Sequence, residues 1–194
     1  MAGKILVVGS LHLDVIVHSS RLPKPDETLL GDKVSYRFGG KGGNQAVAAA
    51  KIDVQVFMAG RIGTDNFGKQ IYDTLSNQNI NLDGLKMVDE ATGMSVALIG
   101  SDGIYSAVVV SGANQTIDLS EIAVPDDLTV LVLQNEINTD ANFEIIKKVP
   151  KSTFIILNAA PALTPNKDFF ERIDLLVVNQ LEAKMLLNEE PSIF

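Results

Sequence analysis

The stretch Phe38-Gly-Gly-Lys-Gly-Gly-Asn-Gln-Ala-Val-Ala-Ala-Ala50 decides how this chain is read. Four glycines, a lysine and an asparagine fill residues 39–44 and run directly into an alanine-rich, helix-favouring segment. Gly39, Gly40, Gly42 and Gly43 permit a tight turn and a close approach, because no Cβ obstructs the backbone. The helix they open leaves N–H groups unpaired in its first turn, with the positive end of the dipole behind them. Such a corner suits hydroxyls, carbonyls or phosphate. It is not a P-loop, because Lys41 precedes the second glycine pair and neither Ser nor Thr follows it. It also lacks the G-x-G-x-x-G spacing of a dinucleotide turn. A plain tight turn capping a core helix is the competing reading.

The surroundings of this corner are those of an α/β protein. Lys4–Val8 is a continuous apolar run ending at Gly9, as expected of a buried parallel strand. Val54–Ala59 reads as a second. Val130–Leu133, Phe154–Leu157 and Leu175–Val178 follow, separated by helical segments over Asp140–Lys148 and Pro165–Arg172. Strand–helix–strand alternation predicts a parallel sheet with helices on its faces. Gly60–Gly68 reads as a loop in which Thr64 or Asp65 caps a helix running to about Asn77. A second texture interrupts this pattern near residues 14–18, 28–38 and 94–111. There Asp102-Gly103, between two strand-like runs, signals a hairpin. No linker separates the two textures, so the second predicts a small sheet projecting from the main domain.

Composition excludes several classes. The 194 residues are 46% hydrophobic, enough for a sizeable core. Sixteen basic against 24 acidic residues give a net charge of −8, and the largest basic cluster is Lys147-Lys148. Nucleic acid is therefore not an expected partner. Cysteine is absent, which removes disulfides, a thiolate nucleophile and Cys-type zinc sites. His12 and His18 are the two histidines, too few for a His-rich metal site. The apolar N-terminal run is too short to span a membrane, so no membrane partner and a cytoplasmic location are the default expectations.

Ligands of open α/β sheets bind beyond the carboxyl ends of the strands. Asp14, Lys41, Asn44, Asn135, Glu136, Asn158 and Asn179 all fall at such positions, and Glu182 follows three residues after Asn179. Each has a plainer reading as a cap or turn former. Together they are suited to clamping a polyhydroxylated ligand, with Asn179 and Glu182 suited to phosphate and hydrated Mg²⁺.

These residues carry a resemblance. Gly9-Ser-Leu-His-Leu-Asp14, Gly39–Ala48, Gly60-Arg-Ile-Gly-Thr-Asp-Asn-Phe-Gly68, Ser111-Gly-Ala-Asn-Gln-Thr116, Asn158-Ala-Ala-Pro-Ala162 and Asn179-Gln-Leu-Glu182 resemble, in order, the N-terminal two-thirds of the ribokinase-like carbohydrate kinases, the ribokinase/phosphofructokinase-B family. The resemblance implies a three-layer α/β/α sandwich with a mainly parallel sheet and a small β-sheet lid, often a homodimer interface. It implies ATP-dependent phosphorylation of a sugar hydroxyl, on D-ribose or a related pentose or nucleoside, with Mg²⁺. Asp14 would accept from sugar hydroxyls, and Gly40, Lys41, Gly42, Gly43 and Asn44 would line the same pocket, with Glu136 contacting the sugar. Asn179 would approach the nucleotide phosphates and Glu182 would help to organise Mg²⁺. His12 stands where ribokinases typically carry asparagine, which leaves the choice of sugar open.

The resemblance also implies a shortfall. The family's general-base aspartate with its glycine anion hole, the adenine pocket and the K⁺ loop are expected beyond Phe194. Residues 1–194 would then be an incomplete domain with no catalytic base of its own, inactive as written and with an uncovered sheet edge. A non-catalytic sugar-binding or regulatory protein retaining the sugar pocket is the alternative. A nucleotide-binding dehydrogenase half suits the first strand, but Gly9-Ser-Leu-His lacks the glycine spacing.

Overall fold

The structure is a computed structural model that describes residues 3–163 and 167–187. The chain first forms β1 (Lys4–Val8), β2 (His12–Ser19), β3 (Lys33–Gly39), α1 (Lys41–Ala49), β4 (Gln55–Gly63), α2 (Asn66–Ser76) and β5 (Ile80–Val88). There follow β6 (Met94–Gly100), β7 (Tyr105–Val110), β8 (Val130–Gln134), α3 (Thr139–Lys148), β9 (Phe154–Asn158), α4 (Lys167–Phe170), β10 (Leu175–Val177) and α5 (Gln180–Leu187).

Six strands make a sheet in the order β10-β9-β8-β1-β4-β5, every neighbouring pair parallel. Successive side chains of a strand point to opposite faces, and both faces of this sheet are covered. Leu6 and Val8 pack with Leu131, Leu133 and Ile155 against Ile145 and Ile146 of α3. Val7 joins Val56, Met58 and Val132 against Ala46 of α1 and Ile71 and Leu75 of α2. The result is the expected helix–sheet–helix sandwich. At one edge, all three residues of β10 are exposed.

Four further strands form the projecting sheet, in the order β3-β2-β6-β7. Its outer pairs are antiparallel, whereas β2 and β6 run parallel. Gly103 closes the β6–β7 hairpin at φ 83°, and the Asp102 carboxylate accepts from the Ile104 N–H.

Three local readings need correction. Gly60–Gly63, read as loop, is the end of β4, because the Arg61 guanidinium is buried and satisfied there. β5 was not anticipated from sequence. Asp83, Gly84 and Lys86 interrupt its apolar pattern, and it pairs with β4 through a register shift. Helix α1 begins at Lys41, within the glycine cluster rather than in the alanine-rich segment after it, so two glycines lie inside its first turn. The helix read over Pro165–Arg172 is described only as α4, and Pro165 lies outside the described residues.

The motif after β4 fixes the lid. Asp65 caps α2 by accepting from the Gly68 N–H at 2.8 Å. The same carboxylate accepts from the Thr92 hydroxyl at 2.6 Å and the Thr92 N–H at 2.8 Å. Thr92 in turn accepts from the Gly63 N–H. One cap thus ties β4, α2 and the entry to β6 together.

Candidate functional site

The site is assembled around the N-terminus of α1. Gly40 takes φ 84° as its N-cap, a left-handed conformation that favours glycine. A Cβ on Gly42 would lie 2.7 Å from the Gly9 carbonyl carbon and 2.8 Å from Ser10 N. The glycines therefore let the first turn of α1 lie directly against the segment that crosses from β1 to β2.

The first amide of α1 finds an anion, and it belongs to the protein. Glu136, two residues beyond β8, accepts from Lys41 N at 3.0 Å, Lys41 Nζ at 2.6 Å and Ser10 Oγ at 2.5 Å. Burial alone would raise the Glu136 carboxyl. The hydrogen bonds from Lys41 and Ser10 overcome that and hold it below its ordinary value. The Gly43 N–H donates to the Ser10 carbonyl. Asn44 is exposed and supplies the first helical N–H, to the Gly40 carbonyl.

His12 opens β2 and is 3% exposed, yet its Nε2 has no hydrogen-bond partner. Burial lowers the imidazole's pKa, against the opposing fields of Glu136 and Asp14. A buried unsatisfied ring nitrogen is costly unless something completes it. Asp14 lies two residues along β2, partly buried, and accepts from Ser95 Oγ of β6 at 2.6 Å. Gly39 gives its carboxylate room, since a Cβ there would sit 2.3 Å from Oδ2.

A cavity of about 400 Å³ opens beside this group. Lys41, Glu136, Asn135 and Glu182 line it from the body, with Val109, Ser111 and Gln115 on the lid side. Asn179 and Glu182 form a reciprocal cap at the start of α5. The Asn179 N–H donates to Glu182 Oε2 at 2.9 Å, and the Glu182 N–H to Asn179 Oδ1 at 2.8 Å. The plainer reading of these two as helix-start residues is thus present in the structure, while Glu182 also faces the cavity. Among the described residues no cluster of three or more His, Cys, Asp or Glu could hold a metal unaided. Mg²⁺ commonly takes one or two carboxylates plus waters and substrate phosphates, a requirement that Glu182 fits.

Reading the sequence alone missed Ser10, Ser95, Asn114 and Gln134. Ser10 and Asn114 lay inside quoted motifs without a role. Ser95 and Gln134 are polar residues within apolar strands, and only their tertiary partners show what they do. Gln134 Nε2 donates to the Val8 carbonyl and to Gln45 Oε1, while its Oε1 accepts from Ser10 N.

A parallel sheet whose strand ends meet a glycine-opened helix beneath a small β lid is a sugar-kinase type of architecture. A model of the pfkB family carbohydrate kinases matches residues 2–192, and the chain belongs to that family. It is 34% identical to the ribokinase of Bacillus subtilis over 190 residues, covering 95% of this chain and 65% of that protein. The structure of Arabidopsis thaliana ribokinase complexed with ribose and ATP matches at 31% identity with a TM-score of 0.87. That match covers 100% of this chain and 65% of the other. Ribokinase from Cryptococcus neoformans in complex with ADP matches at 31% identity and TM-score 0.83, over 96% of this chain and 60% of the other. The chain thus spans less than two-thirds of the length of these relatives.

Proposed function

We propose that this chain carries the sugar-binding part of an ATP-dependent kinase acting on D-ribose or a related pentose or nucleoside. The observation that carries the proposal is a cavity lined by the Lys41–Glu136 pair, whose charges and that of Asp14 act on His12, a buried imidazole with one nitrogen still lacking a partner. In this reading Asp14 and Glu136 accept from sugar hydroxyls, and His12 Nε2 exchanges a hydrogen bond with another. Gly40, Gly42, Gly43 and Asn44 shape the pocket wall. The sugar's hydroxyl attacks the γ-phosphorus in line, its proton passes to a general base, and the bond from phosphorus to the leaving ADP oxygen breaks. The protein's part is positioning and charge stabilisation. Asn179 faces the nucleotide phosphates, and Glu182 holds Mg²⁺, which would neutralise phosphate charge.

Among the described residues, each carboxylate near the cavity holds a protein hydrogen bond: Glu136 from Lys41 and Ser10, Asp14 from Ser95, and Glu182 from Asn179. In this reading they hold ligand and metal, and none is assigned as the general base. We therefore take residues 1–194 to form the incomplete part of a ribokinase-like domain, with the base, adenine pocket and K⁺ loop supplied elsewhere. The same observation favours the second reading, a sugar-binding protein without turnover. The exposed Tyr105, Val108, Val109 and Val110 of β7 support a homodimer through the lid. No helix among the described residues is long and apolar enough to cross a membrane.

The test is titration calorimetry with a panel of pentoses, hexoses and ribonucleosides, beside ADP release with Mg²⁺-ATP and K⁺. We expect D-ribose or a close relative to bind without turnover. The Asp14→Ala variant should stay folded and lose that binding. Folded chain that binds no member of the panel would refute the pocket, and sugar-dependent ADP release would refute the missing base.

A further inference from the structure

The segment that returns from the lid to the body carries a motif that the sugar pocket leaves unexplained. Beyond β7, Gly112 takes φ 49° against the Ala91 carbonyl, and the Ala113 N–H donates to that same oxygen at 2.7 Å. Asn114 follows, with 0% exposure. Its Oδ1 accepts from Leu11 N at 2.8 Å. Its Nδ2 donates to the Leu11 and Ser111 carbonyls, each at 2.9 Å. Further on, the guanidinium of Arg61, 2% exposed, donates to the Asp118 carbonyl at 3.3 Å and to Glu121 at 2.6 Å. The return segment is therefore pinned at both ends.

Leu11 joins the end of the β1 run to the start of β2. Ser10 on one side of it holds Glu136, and His12 on the other presents the unpartnered ring nitrogen. A carboxamide offers one acceptor and a donor group, as a peptide does. Asn114 thus stands where a neighbouring strand would stand and takes both backbone groups of Leu11. Gly93 packs against this contact. A Cβ there would lie 2.2 Å from Asn114 Nδ2 and 2.6 Å from His12 Cδ2.

We propose that Asn114 is a positioning residue: through Leu11 it sets where Ser10 and His12 present their side chains, and so ties the lid's return segment to the pocket floor. Ser111 and Gln115, on the same segment, line the cavity from the other side. The consequence for ligand affinity rests on the sugar-pocket reading; the anchoring itself does not. Aspartate at 114 has the same shape but loses the donor and buries a charge beside a carbonyl. Alanine leaves both Leu11 groups unsatisfied.

The test uses the 194-residue chain, in which His12 is a reporter beside the pocket. His12 faces Glu136, Asp14 and Lys41, whereas His18 lies at the far end of β2. In the wild type, the Leu11 amide should be protected from hydrogen exchange and the His12 proton resonances should titrate below the ordinary range. In Asn114→Ala, which adds no charge and no atom beside the imidazole, His12 should move towards about 6.5. D-ribose binding should weaken about tenfold or more, the scale of one lost buried hydrogen bond. An unshifted His12 and unchanged D-ribose affinity in folded Asn114→Ala would overturn the proposal. So would a freely exchanging Leu11 amide in the wild type, a measurement that needs no variant. If the chain binds no D-ribose but His12 still shifts, the anchoring is supported and the sugar pocket is refuted.

Discussion

Replacing Glu136 by glutamine tests the charge arrangement on which the site is built. The carboxylate accepts three hydrogen bonds, from Ser10 Oγ, Lys41 N and Lys41 Nζ. Its side chain is 14% exposed and that of Lys41 35%. Hydrogen bonds to charged groups contribute about 1.5–3 kcal/mol each, and one partner removed from a buried pair costs about 3–5 kcal/mol. The exposure of Lys41 discounts the ionic part, and glutamine keeps one acceptor. The net loss in Glu136→Gln should be about 3 kcal/mol, a fall in Tm of roughly 6–12 °C for a chain of this size. The sign of the pH dependence follows from the depressed carboxyl. Its contribution is fully present above the ordinary value of 4.5 and is lost as pH falls through the folded-state value. Urea unfolding followed by circular dichroism should therefore show a gap between wild type and variant near neutral pH that narrows as pH falls below 4.5. A gap within about 0.5 kcal/mol of zero at neutral pH would refute the reasoning, being the scatter of ordinary surface substitutions. So would a gap of constant size down to about pH 3, since the lost interaction would then not be ionic.

Two further outcomes follow from the same geometry. The buried imidazole of His12 titrates below its ordinary 6.5, so the unfolded chain binds a proton first. Stability should fall as pH drops through 6.5, and His12→Gln should remove that part of the acid loss; identical profiles in urea unfolding would show that His12 is solvated. A glycine inside a helix normally gains about 1 kcal/mol on becoming alanine. Gly42→Ala should instead cost about 1–3 kcal/mol by overpacking the β1–β2 crossing, and a raised urea midpoint would show that α1 does not lie against it.

Local signals carried the sandwich into view. Lys4–Val8 is a continuous strand run in sequence and appears with those bounds, and the hairpin signalled by Asp102-Gly103 is the one joining β6 and β7. Asp65 was one of two cap candidates, and it is the cap. β5 was hidden because its strand character comes from pairing with β4 rather than from its own alternation. Arg61 misled for a related reason. A charged residue between glycines reads as loop, and besides the adjacent Gly60 carbonyl its buried guanidinium is satisfied by Asp118 and Glu121, 57 and 60 residues away. At the site, the sequence placed Lys41 and Glu136 at separate chain ends of elements. Their pairing spans 95 residues and has no local mark.

That pairing bears on the ligand. A glycine-opened helix N-terminus, taken alone, suits phosphate as well as hydroxyls. Here the Lys41 N–H and the Lys41 ammonium are both directed at the Glu136 carboxylate. Asp14 adds a second negative charge nearby, and its field reaches His12 as that of Glu136 does. Two carboxylates against one ammonium leave this end of the site negative, which opposes a phosphate dianion and costs a neutral polyol nothing. Hydroxyls can donate to Asp14 and Glu136 and accept from His12 or Lys41. For the sugar pocket proposed above, the charge arrangement therefore favours a neutral polyol over a phosphate dianion at the α1 end of the cavity.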